Sequence, residues 1–108
     1  MKSPRSIHPL LREIRAVLER HYGQRFKGLI LYGSTARGDA DAESDIDLLV
    51  LLDPPMDYAA ELHQLIDLLY PLQLQSERLI SVKPAAWEAF EQGGTLFYRR
   101  VKAEGVKV

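Results

Sequence analysis

The chain predicts an α/β fold of the α+β kind, a short mixed sheet backed by helices on one face. Three observations carry this. Two short apolar runs, Leu29–Tyr32 and Leu48–Leu52, are bounded by Gly, Ser and Asp, the punctuation of strands. Leu10, Ile14, Val17, Leu18 and Tyr22 fall on one face at helical spacing, with Arg12, Arg15, Glu19 and Arg20 elsewhere. Leu62, Leu65, Ile66 and Leu69 repeat that pattern after the second run.

Taken in order, residues 1–8 read as a loose arm. Pro9 suits the first turn of a helix running to about Tyr22, and Gly23 is a good stop. The first strand follows. It is expected to pair antiparallel with the second through a long acidic loop. Asp53-Pro54-Pro55 ends the second strand, because proline cannot continue a central ladder. Asp57 is placed to cap a helix over Tyr58–Tyr70, with Pro71 as its stop. A third strand is expected over Glu77–Val82, and a helix from Pro84 through Phe90, where Trp87 and Phe90 read as core or interface residues. Gly93-Gly94 breaks that helix. Leu96–Val101 predicts another short helix, and the chain closes in an extended piece.

Length and composition set bounds. With 108 residues, 46% of them apolar, one domain spanning residues 1–108 with a single core is expected. There is no cysteine, which excludes a disulfide framework and thiol chemistry. No apolar run is long enough for a membrane span, and the first residues lack a signal-peptide core, so a cytoplasmic protein is expected. The net charge is −1 but unevenly spread: residues 1–27 carry +5, residues 28–98 carry −9, and residues 99–108 carry +3. The basic ends read chiefly as solvated surface, free to pair with the acidic middle or a partner. Tyr98-Arg99-Arg100 is the one hint of nucleic-acid binding, and direct binding of that kind is not expected. His21 and His63 read as surface residues, since neither has a second ligand at metal spacing.

The polar chemistry lies where the first strand ends and the second begins, in GLILYGSTARGDADAESDIDLLVLL over residues 28–52. Asp45 and Asp47 are two apart. In a strand they share a face, with Cα atoms about 6–7 Å apart, while Ile46 points the other way. Two converging carboxylates suit a hard divalent cation. Gly33 permits close backbone approach and Ser34 supplies a hydroxyl. Thr35–Arg37 can form one helical turn whose N–H groups face an anion. Taken singly, Asp-x-Asp and Gly-Ser are each ordinary turn composition, and the pairing between two strands is what lifts them. A Ca²⁺ loop beginning at Asp39 fails, because its sixth position is Ser44 and its twelfth is Val50, and no Gly-Lys-Ser/Thr phosphate loop is present.

The string Gly33-Ser34, ten residues, Asp45-Ile46-Asp47 resembles the signature of the polymerase β-like nucleotidyltransferase superfamily. The fuller GSTARGDADAESDIDLLV is similar to its minimal stand-alone members. The ending Tyr-Arg-Arg-Val-Lys-x-Glu-Gly resembles one branch of them. The resemblance implies that Asp45 and Asp47 bind Mg²⁺ and are the catalytic pair, and that Gly33 and Ser34 hold a nucleoside triphosphate such as ATP. Arg37 and Gly38 also match; Arg37 can equally serve as an ion-pair partner for the acidic loop. The resemblance further implies transfer of AMP to a hydroxyl of a small helical partner of the HEPN type, within a toxin–antitoxin pair. Active members usually carry a third carboxylate on a later strand. Here that place is expected near Ser81, which cannot supply a charged ligand. Glu77, on the same strand face by parity, is the alternative. Otherwise the chemistry is weak or lost, and the domain is a module that neutralises a partner by contact.

Overall fold

A computed structural model describes residues 7–38 and 44–108. The arm expected over residues 1–8 and the acidic loop expected between the first two strands therefore fall largely outside the described residues. The elements are α1 (His8–Tyr22), β1 (Phe26–Tyr32), α2 (Gly33–Arg37), β2 (Ile46–Leu52), α3 (Tyr58–Gln75), β3 (Ile80–Ala86), α4 (Trp87–Glu91), α5 (Leu96–Glu104) and β4 (Val106–Lys107).

The sheet is mixed and four-stranded, in the order β3-β2-β1-β4. β1 runs antiparallel to β2, and β2 runs parallel to β3 across α3. The central strand β2 is buried along almost its whole length, as its unbroken Leu-Leu-Val-Leu-Leu run demands. Its even-numbered side chains Ile46, Leu48, Val50 and Leu52 join Leu29, Leu31, Ile80 and Val82 in the main core, where Ile14 and Leu18 of α1 and Leu65 and Leu69 of α3 meet them.

The helices do not stay on that one face. Leu49, Leu51, Ile30 and Ala85 point the other way and pack with Phe90 of α4 and Val101 of α5 in a second, smaller core. The expectation of cover on one face missed this layer because α4 and α5 are short and each buries only one large side chain. Gly105 lets the chain turn from α5 into β4 against the sheet: a Cβ there would lie 2.5 Å from Ile30 Cγ2 and 2.6 Å from the Val101 carbonyl.

Caps fall where the sequence placed them. Gly23 closes α1 at φ 58°, and the Asp57 carboxylate accepts the Ala60 N–H at 3.2 Å. Pro71 does not end α3, which continues to Gln75. Proline forfeits one helical hydrogen bond, but Leu72 beyond it is buried and Gln73 is anchored through its side-chain bonds to Arg78 O and Ile80 N. The third strand accordingly starts at Ile80 rather than Glu77. It runs through Pro84, which was expected to open a helix. Pro84 is tolerated because β3 is an edge strand.

Leu65 is fully buried at the centre of the main core. Leu65→Ala is expected to destabilise the protein by about 2–5 kcal/mol, seen as a lower urea midpoint at unchanged slope.

Candidate functional site

Strand register assembles the site. β1 and β2 pair Tyr32 with Asp47, and β2 and β3 pair Asp47 with Ser81. These three residues form one row across the sheet. Because Ile46 and Leu48 point into the main core, Asp47 faces the α4/α5 side, as do Tyr32 and the Ser81 position.

The turn after Tyr32 brings the two halves of the motif into contact. Gly33 begins α2 with φ +78°, in the left-handed region, and an added Cβ would sit 2.3 Å from Asp47 Oδ2. The carboxylate therefore rests against the Gly33 backbone, where only glycine fits. Ser34 is the next residue of α2 and is half-buried. The first N–H groups of this turn have no partner within the helix. Asp45 lies just before β2 and is exposed. Burial pushes the Asp47 carboxyl upward, the Asp45 charge adds to it, and Lys83 on β3 opposes it. Tyr32 is pushed up to about 12, by burial first and then by the Asp47 charge.

A second set of bonds ties α2 to the start of β2. Thr35 Oγ1 donates to the Asp45 carbonyl at 3.1 Å. Arg78 donates from Nη2 to Thr35 Oγ1 at 2.5 Å and from Nε to the Ser44 carbonyl at 2.7 Å. Ser76 Oγ in turn donates to the Arg78 carbonyl at 2.8 Å and accepts its N–H at 3.1 Å. Arg78 thus pins both ends of the stretch that separates Gly33-Ser34 from Asp45-Asp47. Arg37 pairs with Glu104 of α5 at 3.5 Å.

The donor set fits a divalent cation. Two carboxylates share one corner, and one of them is held above its ordinary carboxyl value by burial and by its neighbour's charge, a condition that a bound cation relieves. Among the described residues no group of three or more acidic or histidine side chains comes together. Ser81, in register with Asp47, occupies the place expected for a third carboxylate. Glu77 does not share its strand face: it lies in the bend before β3, so the parity that related the two residues does not hold. His21 and His63 are exposed, and His63 pairs with Asp67 at 3.6 Å.

With this geometry in place, comparison with known proteins is decisive. A family model described as a nucleotidyltransferase domain matches residues 11–107. The chain belongs to the nucleotidyltransferase domain family. It is 35% identical over 99 residues to a Methanocaldococcus jannaschii protein, MJ0604, provisionally named a protein adenylyltransferase, covering 88% of this chain and 90% of that one. Among solved structures, it resembles the MntA toxin–antitoxin complex at TM-score 0.62 and 19% identity, over 91% of this chain and 70% of that one. It resembles a provisionally assigned minimal nucleotidyltransferase at TM-score 0.58 and 23% identity, over 99% and 100% respectively. The fold of this nucleotidyltransferase is that of the minimal members.

Two residues of the site were not singled out from the sequence. Tyr32 was legible in principle, since an antiparallel pair closed by the motif must set the residue before Gly33 beside one of the aspartates. Arg78 had no local signal, because its partners lie more than thirty positions away.

Two outcomes are expected. Asp47→Asn, in buffer freed of metal by a chelator, raises the melting midpoint at neutral pH. The raised carboxyl costs stability when ionised, so the gain shrinks as pH falls through its elevated value toward the ordinary carboxyl range. Arg78→Ala lowers the urea midpoint, with a cost of about 1–3 kcal/mol from the two lost charge-assisted bonds.

Proposed function

We propose that this nucleotidyltransferase is a protein adenylyltransferase, moving AMP from ATP to a hydroxyl of a protein partner with the help of Mg²⁺. The observation that carries it is the Asp47 carboxylate set against Gly33 with Asp45 beside it. This arrangement offers a triphosphate backbone N–H groups on one side and a cation site on the other. The name of the M. jannaschii relative supports the protein acceptor. The toxin–antitoxin neighbour supports a partner protein, and a small helical one of the HEPN type is the partner we favour.

In the transfer, the acceptor oxygen forms a bond to the α-phosphorus as the bond to the β-phosphate oxygen breaks. Pyrophosphate leaves, and the acceptor proton passes to a base. Asp45 and Asp47 would hold Mg²⁺, which when bound neutralises phosphate charge and orients the α-phosphate. Gly33 and Ser34 hold the triphosphate tail. Arg78, through Thr35 and Ser44, fixes the distance between the phosphate side and the carboxylate side. Ser81 beside Asp47 leaves the acceptor base unassigned on β3.

That same serine favours a second reading, a domain that keeps the site but neutralises its partner by contact. The two separate on transfer of label from α-labelled ATP with Mg²⁺, using protein purified together with its bound partner. Under the first reading label appears on the partner and falls more than about a hundredfold with Asp45→Asn/Asp47→Asn, at least as much as losing groups that merely support a metal ligand. No label from a folded complex, across several nucleotides and metals, would sink the first reading and leave the second.

A further inference from the structure

We propose that the exposed flank of α3 carrying Ile66, Tyr70 and Leu74 is where a second copy of this chain docks, with the two α3 helices packed antiparallel about a two-fold axis. α3 has the composition of a covered helix rather than a surface one. Its 18 residues hold two acids, one histidine and no lysine or arginine. Both acids are matched within the chain: Glu61 by Arg25 at 3.0 Å and by the Tyr22 hydroxyl, Asp67 by His63 at 3.6 Å. A helix that is apolar nearly all round is normally buried on more than one side. Leu65, Leu69 and Leu72 take one side out of solvent. Yet Ile66 keeps 53% of its surface open, Tyr70 57% and Leu74 68%.

These three residues stand one helical turn apart and form a stripe. Nothing among the described residues covers it. α1 lies on the other flank of α3, where His21 shares a groove with Ala60, Gln64, Asp67 and Leu68. On the stripe's side, Gln73 reaches the Arg78 carbonyl and the Ile80 N–H at the start of β3, and β3 is an edge of the sheet. The stripe also lies away from the candidate site. Asp47 faces the α4/α5 side, across the sheet from α3. A copy docked on α3 therefore leaves Asp47 open in both chains, and the contact is independent of nucleotidyl transfer.

Two features select a second copy as the occupant. The first is self-complementarity. In an antiparallel pair centred between Ile66 and Tyr70, Ile66 meets Tyr70 of the second copy, and the half-buried Leu62 comes level with its Leu74, each contact being made twice. No lysine or arginine stands on α3 to call for an acidic partner, and the ion pair beside the stripe, His63 with Asp67, closes within its own helix. The second feature is area. Side chains of this size, exposed to this degree, present on the order of 400 Å² of apolar surface per copy, or about 800 Å² for the pair. Interfaces are about 56–65% apolar, which sets the whole contact at roughly 1,300 Å², within the range of about 1,200–2,000 Å² for stable complexes.

The test is sedimentation of the whole chain over a range of concentrations, with Ile66→Lys/Tyr70→Lys and Leu96→Lys beside wild type. All three replaced side chains are exposed, and a melting curve checks each fold. Wild type is expected at twice the 12.3 kDa mass of the chain. The double variant is expected at the single mass, its dissociation constant raised at least about a hundredfold. Leu96→Lys, on α5 across the sheet, is expected to stay with wild type. The chain has no cysteine, so introduced thiols report the register. Ile66→Cys protein mixed with Tyr70→Cys protein is expected to form disulfides under oxidised glutathione faster than either protein alone. Wild type that keeps the single mass up to roughly 100 μM overturns the proposal and leaves the flank to a different protein. So does a dimer that the double variant preserves, or one that Leu96→Lys dissolves. Disulfides no faster in the mixture than alone overturn the antiparallel pairing, and that measurement decides by itself should the double variant not fold.

Discussion

The candidate site depends on the contact between the Gly33 backbone and the Asp47 carboxylate. It exists because β1 and β2 pair antiparallel with Tyr32 opposite Asp47. A slip of that register by one residue would turn Asp47 into the main core and bring Ile46 or Leu48 to the surface. Burying the Asp47 carboxylate without partners among the apolar side chains of that core is what makes such a slip costly. The core thus does more than stabilise. It fixes which side chain stands beside the turn that opens α2, and the left-handed backbone at Gly33 then allows the carboxylate to close in.

Several basic residues near the two ends of the described chain hold elements together. Arg25 reaches the end of β2 and the first turn of α3 at once: it donates to the Asp53 and Pro55 carbonyls and pairs with Glu61 at 3.0 Å. Glu61 also accepts the Tyr22 hydroxyl at 2.9 Å, so α1, β2 and α3 meet at one largely shielded carboxylate. Lys27 pairs with Asp53 at 3.2 Å, Lys102 with Glu91 at 3.6 Å, and Arg15 donates to the Val108 carbonyl at 2.6 Å. Exposed pairs of this kind are worth little singly, about 0–1 kcal/mol. Among the described residues, Arg25, Lys27 and Lys102 of the basic ends pair with carboxylates of the acidic middle, as the charge distribution allowed.

What was legible in the sequence followed strong local signals. The apolar runs of β1 and β2, the amphipathic faces of α1 and α3, the glycine after α1 and the Asp57 cap all act within a few residues of themselves. What was not legible depended on distant partners. α3 runs past Pro71 because Leu72 and Gln73 find partners beyond it, and that extension moves β3 along the chain and strips Glu77 of its strand position. Arg78 reads as one more surface arginine until Thr35 and Ser44 are brought to it. The candidate site was legible as residue types at a spacing. The face it occupies, and the second layer of helices that walls it, depend on which side of the sheet α4 and α5 cover.

The sheet edges restrict how any partner reaches this corner. The Leu79 carbonyl accepts Ile46 N–H at 2.8 Å, so it points toward β2, and in a parallel ladder alternate residues then point outward: Ile80, Val82, Pro84 and Ala86. Gln73 Oε1 already accepts the Ile80 N–H at 2.7 Å. Pro84 has no N–H to offer. Two of the four outward donors of β3 are therefore withdrawn, and an added strand would find a broken ladder. The opposite edge, β4, is only two residues long. Neither edge of the sheet therefore offers an added strand a long unbroken ladder.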